Sequence, residues 1–433
     1  KVAHLYCVDN GRPAIDPVIL FKIIFLGYLF GIRSERQLMR EIEVNVAYRW
    51  FLGYSLTDPI PDASTLSQNR RRRFTGTQIY QQIFDGIVEQ AITAGLVGGK
   101  ILFTDSTHLK ASANKHKHDM QEVDLTPVDY LEALEADINA DRAAHGKKPL
   151  KDRDDDDRPD TKVKKVSRTD PDAGYMVRDG KPKGFFYRDH RTVDTKYNII
   201  TDSHATHAAL HDSRPYLARL DRQRQRFGFE VDAVGLDAGY ATAAICKGLC
   251  ERKIKGLIGY RRPNKLKGYM PKRLYRYDQT QDVYICPEGQ KIPYATTDRT
   301  GYRHYKSDAR VCRLCPRRQE CTRSANMVKV VTRHIWQTFK EKIDKNRLSL
   351  WGKILYRRRA ETVERSFADA KQLHGHRYAR MRGIDKVAEQ CLLAAAAQNI
   401  KKIALILGKK ALYWLFTSLN AAKLLQEPLI RLI

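Results

Sequence analysis

The chain has 433 residues, 42% of them hydrophobic, and carries 78 Lys and Arg against 50 Asp and Glu, a net charge of +28. That size and apolar content exclude a single small module and leave room for two or three domains with sizeable cores. The charge points to a polyanionic partner, bound in a salt-dependent way through counterion release.

In chain order, the first predicted element is a buried helix entered at Asp16-Pro17, a cap followed by a first-turn proline. Its apolar stretch, Val18 to Ile32, contains Lys22 and Gly27 and runs into Arg33-Ser34-Glu35-Arg36. It falls short of the ~20 apolar residues that span a bilayer, so no membrane association is expected. No signal-peptide pattern is visible, and a chain opening at Lys1 rather than Met is expected to lack residues before it. Residues 35–53 continue amphipathically, Pro59, Pro61 and Asp62 punctuate, and Ser64 to Phe74 resumes a helical pattern ending in Arg70, Arg71, Arg72 and Arg73. Two helices around a short turn with a basic run after them suit DNA binding or dimerisation, and residues 1–98 form a helical amino-terminal domain on this reading.

Gly98-Gly99 then turns the chain into Ile101-Leu102-Phe103-Thr104-Asp105, a short buried-strand pattern that places the Asp105 carboxylate at a strand's carboxyl end. Residues 115–180 carry mixed charge, with a predicted helix at 127–144 and a solvated run through Asp154–Asp157. Alternation through Phe185–Asp194 and Tyr197–Thr201 predicts a hairpin, and helix signals follow at 212–225. His204, His207 and His211 lack a carboxylate at fixed spacing and read as strand-to-helix connection residues. A second β-rich run, Val231 to Leu236, ends at Asp237, turns at Gly239 and enters an Ala-rich helix at 241–250. Ile254–Tyr260 is a further strand that Arg261-Arg262-Pro263 leaves, closing a segment bounded at 99–262.

Residues 263–338 change character to short β-like pieces rich in Tyr, with Cys286, Cys312, Cys315 and Cys321. The Cys312–Cys315 knuckle suits tetrahedral zinc and the other two complete a four-cysteine set; unmetallated thiols and an iron–sulfur cluster are the alternatives. Cys246, Cys250 and Cys391 read as packed core thiols. Trp336 is either a core residue or a platform for an extruded base. Residues 339–400 contain the stretch Arg357 to Lys371, free of Gly and Pro and of helical period. Seven residues make about two turns, so Arg357, Glu364 and Lys371 are expected on one face, followed by a helical tail over 401–433.

Asp105, Asp237 and Glu364 are thus three carboxylates on three separate elements, the number and type of ligand that two Mg²⁺ or Mn²⁺ ions use for phosphodiester chemistry. The stretches Thr104 to Lys115, Leu236 to Tyr240 and Glu364 to Lys371 together resemble the DDE transposases of bacterial insertion sequences, over most of the chain. The closest likeness is to the group with a helical amino-terminal domain and a cysteine-bearing insertion before the last acid. The resemblance implies an α/β fold, a ribonuclease-H-like mixed sheet core holding the metals on the three acids, and a Tyr, Arg, Glu, Lys signature around the last one. Glu364 and Lys371 match its final spacing of six intervening residues. The signature puts its Arg at 360, which is Ala here, so Tyr356 and Arg359 are offset by one.

The activity expected from the resemblance is cleavage of DNA at insertion-sequence ends and joining of the 3′ hydroxyl to target DNA, in a cytoplasmic, nucleoid-associated protein. The partners are terminal inverted repeats and target DNA, held by a homo-oligomer of at least two copies. Tyr356, Arg357, Arg359, Lys371, Trp336 and Arg70–Arg73 are the expected DNA contacts. Two other readings use the same residues: a catalytically silent DNA-binding derivative, and a metal-dependent nuclease of the same fold that cuts without joining.

Overall fold

A computed structural model describes residues 2–6, 14–124, 130–151, 161–177, 180, 182–260 and 267–430; the Asp154–Asp157 run and Arg261-Arg262-Pro263 lie outside them. The protein is mixed α/β with several sheets, and its contacts divide it into two compact units. The first comprises Lys1–Gln121, Lys164–Gly235 and Leu355–Ile433, the second Glu122–Val163 and Leu236–Ile354.

The first unit opens with five helices: α1 (Pro17–Leu29), α2 (Glu35–Val44), α3 (Val46–Leu52), α4 (Ala63–Asn69) and α5 (Ile79–Thr93). Their starts are written in short polar side chains. Asp16 accepts from Val18 N at 2.8 Å ahead of Pro17, Ser34 caps α2, Asn45 accepts from Ala47 and Tyr48 N, and Asp62 caps α4. Leu20, Ile23, Ile42, Phe74, Phe84 and Val88 in this stretch are buried. The arginine run Arg70–Phe74 is wound as a π turn rather than as the plain helical continuation expected.

Strand β1 (Ile101–Lys110) follows, then β2 (His118–Asp124), α6 (Leu131–Ala144), β3 (Thr161–Ser167), β4 (Gly174–Met176), β5 (Gly184–Asp194), β6 (Ile200–His207), α7 (Tyr216–Phe227) and β7 (Ala233–Leu236). In the first unit's sheet β5 is central, with β1 antiparallel on one side and β4 and β6 in succession on the other, and β7 lies beyond β1. All of β5 is buried although much of it is polar. The register explains how. Thr104, Ser106 and His108 oppose Thr192, His190 and Arg188 on one face, while Asp105, Thr107 and Leu109 oppose Arg191, Asp189 and Tyr187 on the other. Each face buries its own set of paired polar groups. Where β7 passes β1, a Cβ on Gly235 would lie 2.0 Å from the Phe103 ring, so only glycine fits that approach.

The second unit contains α8 (Ala243–Glu251), β8 (Lys255–Ile258) and a five-stranded antiparallel meander of β9 (Arg276–Asp278), β10 (Val283–Ile285), β11 (Lys291–Thr297), β12 (Tyr302–Lys306) and β13 (Val330–His334). Two short helices, α9 (Ala309–Arg313) and α10 (Arg318–Cys321), interrupt the meander, and α11 (Gln337–Leu348) follows it. Tyr275, Tyr284, Tyr305, Ile292 and Val331 form its core. Asp282 accepts from the hydroxyls of Tyr277 and Tyr305, each at 2.6 Å, so the buried phenols are satisfied.

Helix α12 (Leu350–Arg357) leads back to the first unit, where a π turn at Ala360–Glu364 runs into α13 (Arg365–Leu373) and the long α14 (Ile384–Ile430). Among the described residues, Ile384–Ala411 is the helix long and apolar enough to cross a membrane by composition, a stretch the sequence reading passed over. Half of it is buried: Val387, Cys391 and Ala394–Ala397 pack in the core, and Asn399 bonds the backbone of Ile200 in β6. That is the environment of a core helix.

Candidate active site

Asp105 sits in the middle of β1 rather than at a strand end, because the pairing with β5 continues unbroken to Lys110. Glu364 closes the π turn that packs on β1 and β5. One guanidinium joins the two acids. Arg359 Nη2 donates to Asp105 Oδ2 at 2.6 Å, Nη1 stands 3.5 Å from Glu364 Oε1, and Nη1 also meets the Tyr356 hydroxyl at 3.2 Å. Arg359 is buried, while the side chains of Asp105 and Glu364 keep 22% and 51% of their exposure; Asp105 Oδ1 also accepts from Ser106 N at 2.8 Å. Burial alone would lower the Arg359 pKa, and Asp105, Tyr356 and Glu364 together hold it above its ordinary value.

The π turn accounts for the offset in the sequence signature. A π turn accommodates one residue more than an α turn, and here Glu364 N bonds Arg359 O, five residues back, at 3.2 Å. Arg359, one residue farther from Glu364 than the signature asks, is thereby brought onto the Glu364 side. The same turn breaks the continuous helix expected through 357–371, so Arg357 ends α12 as an exposed residue instead of sharing an uninterrupted face with Glu364.

Asp105 and Glu364 already converge on a cationic group, and oxygen ligands facing one positive centre from a strand and a helix fit a hard divalent ion. Asp237 belongs to the second unit, as the exposed residue directly after β7.

Several expected DNA contacts are corrected. Trp336 is 4% exposed and its Nε1 donates to Asp137 at 2.7 Å under Lys247, so it is a core anchor beside Leu134 and Ile138 and not a stacking platform. Arg70 is held by Glu35 and Glu389, each at 2.7 Å, and Arg73 lies over Tyr6 with its Nη1 on Asn69. Arg359 is engaged with the acids. Arg71, Arg72 and Arg357 are exposed and Lys371 is partly so. His204 lies inside β6, its ring 6.2 Å from that of His190, and is a strand residue rather than part of a connection.

Cys286, Cys312, Cys315 and Cys321, all in the second unit, line one cavity of about 300 Å³. Cys286 is set like a metal-knuckle ligand: Gly289 takes a φ of +77°, Gly289 N bonds Cys286 O, and Gln290 N points at Cys286 Sγ at 3.3 Å. Cys312 Sγ is turned to Ser307 Oγ and Cys321 Sγ to the Tyr275 hydroxyl, and no three of the four sulfurs lie within 4.8 Å of one another.

The group that does come together is Asp189, His376 and Cys391, fully buried, with ligand atoms within 4.8 Å. Sequence reading missed it because its members are scattered over β5, the segment after α13 and α14. Its charge is already balanced. Arg191 Nε donates to Asp189 Oδ2 at 2.7 Å, His376 Nε2 bonds the same oxygen at 2.9 Å, and Ser203 Oγ bonds Oδ1 at 3.0 Å. Burial would raise the Asp189 pKa, but Arg191 and His376 hold it below the usual carboxylate value. Arg191 also lies over Phe367 and reaches Ser366, tying the strand opposite Asp105 to α13, which follows directly on Glu364. The group is a buried brace under the acid pair.

Comparison with known families gives two matches. Residues 285–404 match the family described as Transposase DDE domain, and residues 1–72 match Transposase domain (DUF772). The first match spans the four cysteines, Arg359, Glu364 and Lys371; the second spans α1–α4 and Arg70–Arg72. No curated protein matches the chain.

Proposed function

We propose that this chain, which belongs to the DDE transposases of insertion elements, cleaves DNA at element ends and joins the freed 3′ hydroxyl to target DNA. Asp105, Asp237 and Glu364 are the proposed ligands of two Mg²⁺ or Mn²⁺ ions on a ribonuclease-H-like core. Such ions, when bound, activate the attacking oxygen and stabilise the leaving one. The observation that carries the reading is the convergence of Asp105 and Glu364, 259 positions apart in sequence, on the single Arg359 guanidinium. Asp237 is assigned from its sequence context. Arg359 and Tyr356 align the two acids, while Arg357, Lys371, Arg71 and Arg72 meet phosphates and so position the duplex.

End recognition is assigned to the amino-terminal helices. Val44, Val46, Trp50 and Leu56 leave an apolar patch on α2, α3 and the turn beyond, which supports a homo-oligomer. The four cysteines are the proposed ligands of a structural zinc, supported by the Cys286 turn and the shared cavity. Convergence requires Cys312 to turn off Ser307 and Cys321 off Tyr275, since Zn–S bonds of about 2.3 Å hold the sulfurs closer than they stand. Zinc absent from protein purified without chelator would refute this part alone.

The test of the main reading is Mg²⁺-dependent cleavage and strand transfer on labelled end DNA by the wild type and by Asp105→Ala, Asp237→Ala and Glu364→Ala, with binding measured in parallel. Loss of both steps with binding retained in all three variants is the expected result. Cutting without any joined product from a precut end would favour the nuclease; binding without chemistry under either metal would favour the silent derivative.

A further inference from the structure

A second feature of the first unit is unexplained by the acid site. The segment after α13 carries Arg380, whose Nε and Nη2 are both buried with no hydrogen-bond acceptor among the described residues. Among the described residues it is the one arginine with two such atoms, and none of their carboxylates forms an ion pair with it. Its guanidinium carbon stands 4.1 Å from the centre of the Tyr28 ring. That phenol is neutral, since burial pushes its pKa up to about 12. The other arginines displaced from their ordinary value are held up by an acid or a phenol, whereas for Arg380 burial, with Arg33 and Arg70 adding to it, outweighs the opposing influence of Tyr28 and Glu35 and pushes it down. Two buried N–H groups left without acceptors on a cationic side chain whose one close neighbour is an aromatic face favour an anionic ligand at this point.

Arg380 borders a cavity of about 590 Å³ lined by α1, α2, the α4 end and the segment 380–386. Arg33, Arg70, Arg71, Arg382 and Lys386 share the lining with it, against Glu35 as the one acid. Glu35 is engaged with Arg70, whose other side is met by Glu389, and Arg382 Nε donates to a neutral acceptor, the Ser112 carbonyl, at 3.0 Å. Ser67 and Thr75 add hydroxyls to the wall.

We propose that this cavity is a phosphate-binding site centred on Arg380. The planar guanidinium fork matches two phosphate oxygens, the surrounding cations add long-range attraction, and the cavity admits a phosphodiester as readily as a free ion. The phosphate comes from a DNA backbone or from solution. The first source rests on the proposed function and the second does not.

The test uses the full chain. Thermal unfolding of the wild type, Arg380→Gln and Lys386→Gln is followed in sodium phosphate and in sodium chloride at matched ionic strength. Phosphate is expected to raise the wild-type midpoint, with a dissociation constant at least tenfold tighter than that of Arg380→Gln and intermediate binding by Lys386→Gln, which stands in should the first variant not fold. Affinity for a short duplex is then measured against salt. A log–log slope shallower by about 0.9 in Arg380→Gln assigns the occupant as a DNA phosphate, and an unchanged slope with phosphate binding lost assigns a free phosphate. Because phosphate also stabilises proteins by exclusion from their surface, the decisive comparison is between proteins: an equal phosphate-over-chloride shift in the wild type and both variants would overturn the inference, and none of these readouts depends on catalysis.

Discussion

Replacing Arg359 with Ala is the perturbation that most sharply separates a bridging guanidinium from a phosphate contact. Its side chain is 8% exposed and binds Asp105 at 2.6 Å, with Glu364 at 3.5 Å. Breaking a buried ion pair costs about 3–5 kcal/mol; the partial exposure of both acids reduces this to about 2 kcal/mol in metal-free protein. The effect of divalent ions runs the other way. A unit charge about 4 Å from another at the effective dielectric of a protein surface is worth up to about 4 kcal/mol, so removing the guanidinium tightens divalent binding. About a third of that bound gives a tenfold tighter dissociation constant, or about 1.4 kcal/mol more stabilisation at saturating Mn²⁺. The assay is urea unfolding of the wild type, Arg359→Ala and Arg359→Lys in EDTA and in Mn²⁺, with Mn²⁺ binding read separately by electron paramagnetic resonance. Arg359→Lys keeps the charge without the fork and falls between the other two. Refutation would be an Arg359→Ala protein as stable as wild type in EDTA with unchanged Mn²⁺ affinity.

Other substitutions probe the frame around the acids. Trp336→Ala should destabilise the second unit by about 3–5 kcal/mol, measured by chemical unfolding, while DNA affinity at fixed salt stays near wild type; a selective loss of DNA binding would restore the stacking role. Gly235→Ala should cost about 1–3 kcal/mol or more, because its methyl group meets the Phe103 ring, and a neutral result in thermal unfolding would contradict the close approach of β7 to β1. His334 has its pKa lowered to about 4 by burial, with Lys340 adding to it, and accepts from Trp336 N through Nδ1 at 3.0 Å. Its neutral form is the native one, so the stability it contributes is complete above about pH 6.5 and is lost as pH falls toward 4, by about 2 kcal/mol at pH 5. Unfolding curves between pH 7 and 4.5 should show a shallower acid loss in His334→Gln; identical slopes would exclude this histidine as a source.

What the sequence disclosed and what it hid follow from how far each interaction reaches along the chain. The α1 start at Asp16-Pro17, the β5–β6 hairpin and the strand ending at Asp237 depend on caps, alternation and turns within a few residues, and those are legible locally. The extension of β1 past Asp105 was not, because it is decided by pairing with β5, some 80 residues away, through cross-strand polar contacts such as Thr104–Thr192. Trp336 was open to two readings since the Asp137 that anchors it lies 199 positions earlier. The offset of Tyr356 and Arg359 looked like a departure from the family pattern because spacing rules count residues as if every helix were α. A π turn changes the count by one, and with it the side on which Arg359 emerges. A substitution of Ala360 and Arg359 that restores the family spacing should therefore misplace the guanidinium unless the π turn relaxes to α. The swapped variant Arg359→Ala with Ala360→Arg should keep the Asp105 pairing, seen as near-wild-type stability in EDTA, only if the turn can relax.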